Sequence, residues 1–116
     1  MKTSSCKAKG RRLASLMAEV VRDMIGVEPD DVRVTPSGVQ GSDIQLSPKA
    51  KALFPFTVES KNVEKIAIWA AIEQAEQHAK KEGGTPMVVF ARNRTAPYVC
   101  IPLSALKGIY NVPKNI

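Results

Sequence analysis

The chain of 116 residues is short of several things, and each shortage excludes something. Its two cysteines, Cys6 and Cys100, are too few for a disulfide scaffold and lack the spacing of metal ligands. No apolar run approaches the roughly 18 residues of a membrane span. The basic, polar start Met1–Arg12 has no hydrophobic stretch of a signal peptide. Aromatic residues are few (Phe54, Phe56, Trp69, Phe90, Tyr98, Tyr110), and most lie in apolar strand or helix contexts. That argues against base stacking in the manner of single-strand binders. There is no internal repeat and no linker long enough to separate domains, and one domain of about 100–150 residues is the size expected. Apolar residues at 44% and charged residues at 24% are ordinary globular composition, which excludes wholesale disorder. The expectation is a reduced, cytoplasmic, single-domain protein.

Acidic residues are missing from the first twelve positions, where Lys2, Lys7, Lys9, Arg11 and Arg12 stand. The whole chain carries +6, so most of its excess charge sits there and the remainder is close to neutral. Residues 1–12 therefore read as a flexible cationic arm on a domain spanning 13–116. Such an arm suits a polyanion, because each cation near a phosphate releases condensed counterions. It equally suits a solubilising terminus.

Leu13, Leu16, Met17, Val20, Val21, Met24 and Ile25 recur at helical spacing, predicting an amphipathic helix over about 9–25 that Gly26 stops. Val32–Val34 is a short strand candidate, and Pro36, Gly38 and Gly41 make 35–42 a loop. Ile44 and Leu46 alternate with polar neighbours, as do Phe56 and Val58 after Pro55, which is the two-residue period of strands. A second helix is expected over about 63–82, with Ile68, Ala71, Ile72, Ala75 and Ala79 on one side and Gly83-Gly84 as its stop. Met87–Arg92 and Tyr98–Pro102 read as two further strands. The order αβββαββ implies a layered α/β fold with a central mixed sheet flanked by helices.

The chemistry concentrates in 41–61. Asp43 follows a glycine-bearing loop that lets the backbone approach closely, and alternation puts Glu59 and Lys61 on one face of the next strand. If the two strands are neighbours, Asp43 and Glu59 converge. Two close carboxylates repel unless a cation lies between them, and their hard oxygens suit Mg²⁺, with the Ser60 carbonyl as a third donor. Through its charge the metal eases deprotonation of a water that can attack phosphorus. Lys61 on the same face can orient that water or stabilise the charge developing on phosphate. The plain alternative is a solvated Glu/Lys strand face.

Gly41-Ser42-Asp43-Ile44, Phe54-Pro55-Phe56-Thr57-Val58-Glu59-Ser60-Lys61 and Trp69 through Gln74 and His78 together resemble the PD-(D/E)XK nuclease superfamily. The nearest likeness is to its small phage and archaeal members similar to Holliday junction resolvases. The likeness covers about residues 10–106 and implies a restriction-endonuclease-like fold. It implies that Asp43 and Glu59 bind Mg²⁺ (or Mn²⁺), that Ser60 adds its carbonyl, that Lys61 is the catalytic lysine, and that Gln74 points back from the following helix. His78 stands where some relatives carry an aromatic residue and reads here as a surface hydrogen-bonder. Ser42 replaces the family's usual proline before the first acid. Relatives often add a glutamate from the first helix, and Glu19 is the only mid-helix candidate, either at the cleft or facing water.

The expected activity is metal-dependent hydrolysis of DNA phosphodiesters, with a structure-specific, resolvase-like role. The alternative is a nucleic-acid-binding module that keeps the fold without the chemistry. Lys7, Lys9, Arg11, Arg12, Lys49, Lys51, Arg92 and Arg94 are the candidate phosphate contacts, which position a duplex without reading its sequence. Branched or duplex DNA read by shape is the expected substrate. One site per chain and two cuts per junction point to a homodimer.

Overall fold

The computed structural model describes the backbone of residues 2–110 and the side chains of residues 8–110. The elements run α1 (Lys2–Ile25), β1 (Val32–Val34), β2 (Ile44–Leu46), α2 (Pro48–Leu53), β3 (Phe56–Asn62), α3 (Ile68–Glu82), β4 (Thr85–Ala91), β5 (Tyr98–Cys100) and α4 (Leu106–Ile109), with single 3₁₀ turns at Pro29–Asp31 and Leu103–Ala105. This is the expected order with two short helices added.

β3, β4 and β5 form a mixed sheet: β3 and β4 run parallel across the α3 crossover, and β5 returns antiparallel to β4. β1 and β2 pair antiparallel as a separate two-stranded unit. Helices cover both faces. Alternation sends Val58, Met87 and Val89 to one face, where they pack with Leu13, Met17, Ala18 and Val21 of α1 and with Val32, Ile44, Ala50 and Phe54. It sends Val88 to the other face, against Ala71 and Ala75 of α3, with Ile68, Ile72, Phe90 and Cys100 around them. The alanines give α3 a smooth inner side, which lets it lie close on the sheet.

Three sequence expectations change here. Residues 2–12 continue α1 instead of standing apart as an arm: alanine, lysine and arginine favour helix, and nothing breaks it before Gly26. The apolar stripe of α1 is wider than the sheet can cover. Leu16, Val20 and Met24 are exposed, and Ala14 and Ala18 take their places inside. The second helix begins at Ile68 instead of 63, because β3 runs on to Asn62 and residues 63–67 form the connection. Trp69, on the outer side of that first turn, is 79% exposed and is no part of the core.

Gly83 and Gly84 end α3 with φ of 84° and 89°, and the chain then enters β4 through a bond from Thr85 N–H to Pro55 C=O. A Cβ at Gly84 would lie 3.1 Å from Pro55 O. Gly10 sits inside α1 with open space around its missing Cβ. The same substitution should therefore have opposite signs at these two sites. Gly84→Ala is expected to destabilise by roughly 1–3 kcal/mol, and Gly10→Ala to stabilise by about 0.5–1 kcal/mol, both read from urea unfolding.

Candidate active site

β2 is entered through Gly41-Ser42-Asp43. Gly41 holds φ at 122°, and a Cβ there would lie 3.3 Å from Glu82 Oε2. Glu82, the last residue of α3, uses both carboxylate oxygens on Ser42: Oε2 accepts the backbone N–H at 2.9 Å and Oε1 accepts the hydroxyl at 2.6 Å. Next along the chain, Asp43 N–H donates to Val58 C=O at 2.9 Å, which ties the two-stranded unit to β3. The Asp43 carboxylate then accepts Ser60 N–H at 2.7 Å. Thus Asp43 is fixed at both its backbone and its side chain against β3.

Within a strand the N–H and C=O of one residue point the same way, and alternate residues share that direction. Val58 C=O and Ser60 N–H both face Asp43, so the Ser60 carbonyl faces the same side. The Ser60 hydroxyl is buried and, among the described residues, has no hydrogen-bond partner. Glu59 points the other way, toward α3, and is 1% exposed. There His78 Nδ1 meets Glu59 Oε1. Burial, and then the negative charge of Asp43, push the Glu59 carboxyl up to about 7, while the His78 hydrogen bond and the Lys61 ammonium pull against them. Lys61 lies two residues on, half-buried, on the same face as Glu59.

Asp43 thus lies against Ser60, and its charge and that of Lys61 both reach the Glu59 carboxyl, which itself turns to His78. Gln74 is exposed on α3 and, among the described residues, its side chain makes no hydrogen bond to these groups. The residue of α3 that reaches β3 is His78, one turn later, because the Ala71/Ala75/Ala79 side sets which edge of the helix meets Glu59. His78 is therefore a partner of the buried acid and not only a surface group. Glu82 was not foreseen; four residues beyond His78, it lies on the same edge of α3, and that spacing was its only signal. Glu19 is exposed on α1 and, among the described residues, its side chain makes no hydrogen bond or ion pair.

The basic residues divide. Arg11, with Gly10 and Ala14 of α1, forms one wall of a groove of about 300 Å³ whose other wall is the 34–39 loop, with Asp43 and Ser60 at its base. Lys9 donates to Asn93 Oδ1 at 2.7 Å, joining α1 to the β4–β5 turn that carries the exposed Arg92 and Arg94. Lys51 donates to the Glu82 carbonyl at 2.6 Å and so caps α3 near the start of β3. Lys49 is exposed on α2, and Arg12 is exposed on α1. The Lys7 side chain lies outside the described residues.

Two carboxylates, a backbone carbonyl and an orphaned hydroxyl are a hard-oxygen donor set. Among the described residues no group of three or more His, Cys, Asp or Glu side chains is placed to hold a metal. No helix among the described residues is long and apolar enough to cross a membrane.

The raised Glu59 value has a definite sign in stability. Between its ordinary 4.5 and about 7 the folded chain holds a proton that the unfolded chain releases, so stability falls as pH rises through that window. In metal-free buffer the unfolding free energy of the wild type, relative to Glu59→Gln, should drop from pH 4.5 to 7 and level off above. A difference that does not vary with pH would rule out this environment for Glu59.

A family model described as phage putative PDDEXK endonuclease matches residues 5–115. No curated protein and no solved structure matches the chain. Because the match runs over nearly its whole length, and the layered α/β fold agrees with it, the chain belongs to this family of the PD-(D/E)XK nuclease superfamily.

Proposed function

We propose that the protein is a Mg²⁺-dependent DNA endonuclease, with Mn²⁺ as a substitute, acting on branched or duplex DNA in the cytoplasm of a phage host. One observation carries the reading. The Asp43 carboxylate is seated on the Ser60 amide, beside a buried Glu59 whose charge it opposes. Two carboxylates held together against their repulsion are a standing demand for a cation.

The donor set fits a magnesium ion held by Asp43, Glu59 and the Ser60 carbonyl. When bound, the ion lowers the pKa of a water and stabilises charge on the phosphate. The chain's own residues do the rest. Arg11, on the wall of the groove above Asp43, holds a DNA phosphate by charge. Lys61, on the Glu59 side, faces the reacting phosphate and offsets its growing negative charge. His78 holds the Glu59 oxygen from the α3 side, and a bound cation would share that carboxylate.

The second reading, a DNA-binding module without chemistry, draws on one observation: Glu59 is sealed and already partnered by His78. A homodimer accompanies the first reading, since paired cuts across a junction need two sites related by a two-fold axis. Sedimentation equilibrium at micromolar concentration should give twice the chain mass.

Cleavage of plain, flapped and four-way DNA with Mg²⁺ or with chelator separates the two readings. Nicking should appear with Mg²⁺ and vanish with chelator. Asp43→Asn and Glu59→Gln should lose cleavage and keep DNA binding. Lys61→Ala should cut roughly 10²- to 10³-fold more slowly. Salt-dependent band shifts without any Mg²⁺-dependent nicking would establish the binding module instead.

A further inference from the structure

Beyond Lys61 the sheet carries a row of side chains that the catalytic set does not use. Lys61 is the register partner of Phe90 on β4, and Phe90 is the partner of Tyr98 on β5. Directly opposed residues on neighbouring strands point to the same face, so the ammonium and the two rings form one line across the sheet. The Phe90 and Tyr98 rings are 6.3 Å apart between centroids and tilted by 30°. Tyr98, at the end of the row, is 66% exposed.

The two rings line a cleft of about 610 Å³ between the 63–66 connection and the β4–β5 turn. That size falls within the roughly 300–1,000 Å³ of small-molecule sites. The walls are tied together, since Glu64 accepts Asn93 N–H at 2.6 Å and Asn93 Oδ1 accepts Lys9. Lys65 and Arg92 stand among the lining residues, and Arg94 sits on the same turn with φ of 65°. A largely apolar, aromatic lining with Lys65 and Arg92 beside it, and with the acid Glu64 engaged by Asn93, suits a ligand with a flat face and an attached negative charge.

We infer that this cleft receives an unpaired nucleobase of the strand being cut, stacked against Tyr98, with Arg92 and Lys65 on its phosphates. The inference rests on the nuclease reading and names its substrate class: DNA with an extrahelical or displaced base next to the scissile phosphate. Two strand spacings, about 10 Å, separate Tyr98 from Lys61, so a base in the cleft lies on the same sheet face as that ammonium. A base inside an intact duplex offers only its edge and cannot enter.

The test is equilibrium binding in chelator, with two duplexes of equal length, one of which carries a single extra 2-aminopurine. The bulged duplex should bind roughly five- to hundredfold more tightly, with quenching of the probe on stacking. Tyr98→Ala, which removes the ring, and Ala96→Trp, which fills the cleft from an exposed loop position, should each bring the preference below about twofold. Thermal melts identify a misfolded variant, and the other one then decides. Equal affinity for the two duplexes, a preference that survives both variants, or no DNA binding at all overturns the proposal. Mg²⁺-dependent cutting without the preference removes the cleft and leaves the nuclease. The preference without cutting removes the nuclease and leaves the cleft.

Discussion

Asp43 is where two halves of this protein are joined. Its backbone N–H binds Val58 and its side chain binds Ser60, and through these two contacts the β1–β2 unit is pinned to the edge of β3. β2 and β3 belong to separate sheets, so these contacts of Asp43 are what tie the two together. The joint between the sheets is thus also what brings an acid and a backbone amide to one place. A residue placed elsewhere could not replace it, because both its backbone and its carboxylate are engaged.

The cost of the arrangement falls on Glu59. A buried carboxylate beside another carboxylate is unfavourable, and the chain answers with a proton, a histidine and a lysine instead of with solvent. A core position on the α3 side of the sheet, where Ala75 and Val88 are buried, would be more stable with an apolar residue. An acid at such a position, with a value shifted toward neutrality, is the pattern by which functional sites are sought.

Much of this was legible in the sequence. Period-two alternation put Glu59 and Lys61 on one face, and Gly41 marked the close approach before Asp43. The alanine spacing of α3 marked its inner side. The features that were not legible depend on how elements settle against each other. His78 reaches Glu59 from 19 residues away, and Glu82 reaches Ser42 from 40. No local pattern reports which edge of α3 faces β2, so the family's glutamine position drew attention to Gln74 when the geometry used His78. For the same reason, Leu16, Val20 and Met24 satisfied helical spacing yet found no sheet beneath them.

α3 emerges as the element that sets the site, although it contributes no ligand in the usual sense. Its centre is alanine, so it sits low on β3 and β4. Its β2-facing edge carries His78 to Glu59 and, one turn on, Glu82 to the residue before Asp43. The two acids are therefore governed from a single rigid rod: His78 grips one of them directly, and Glu82 fixes the chain that presents the other.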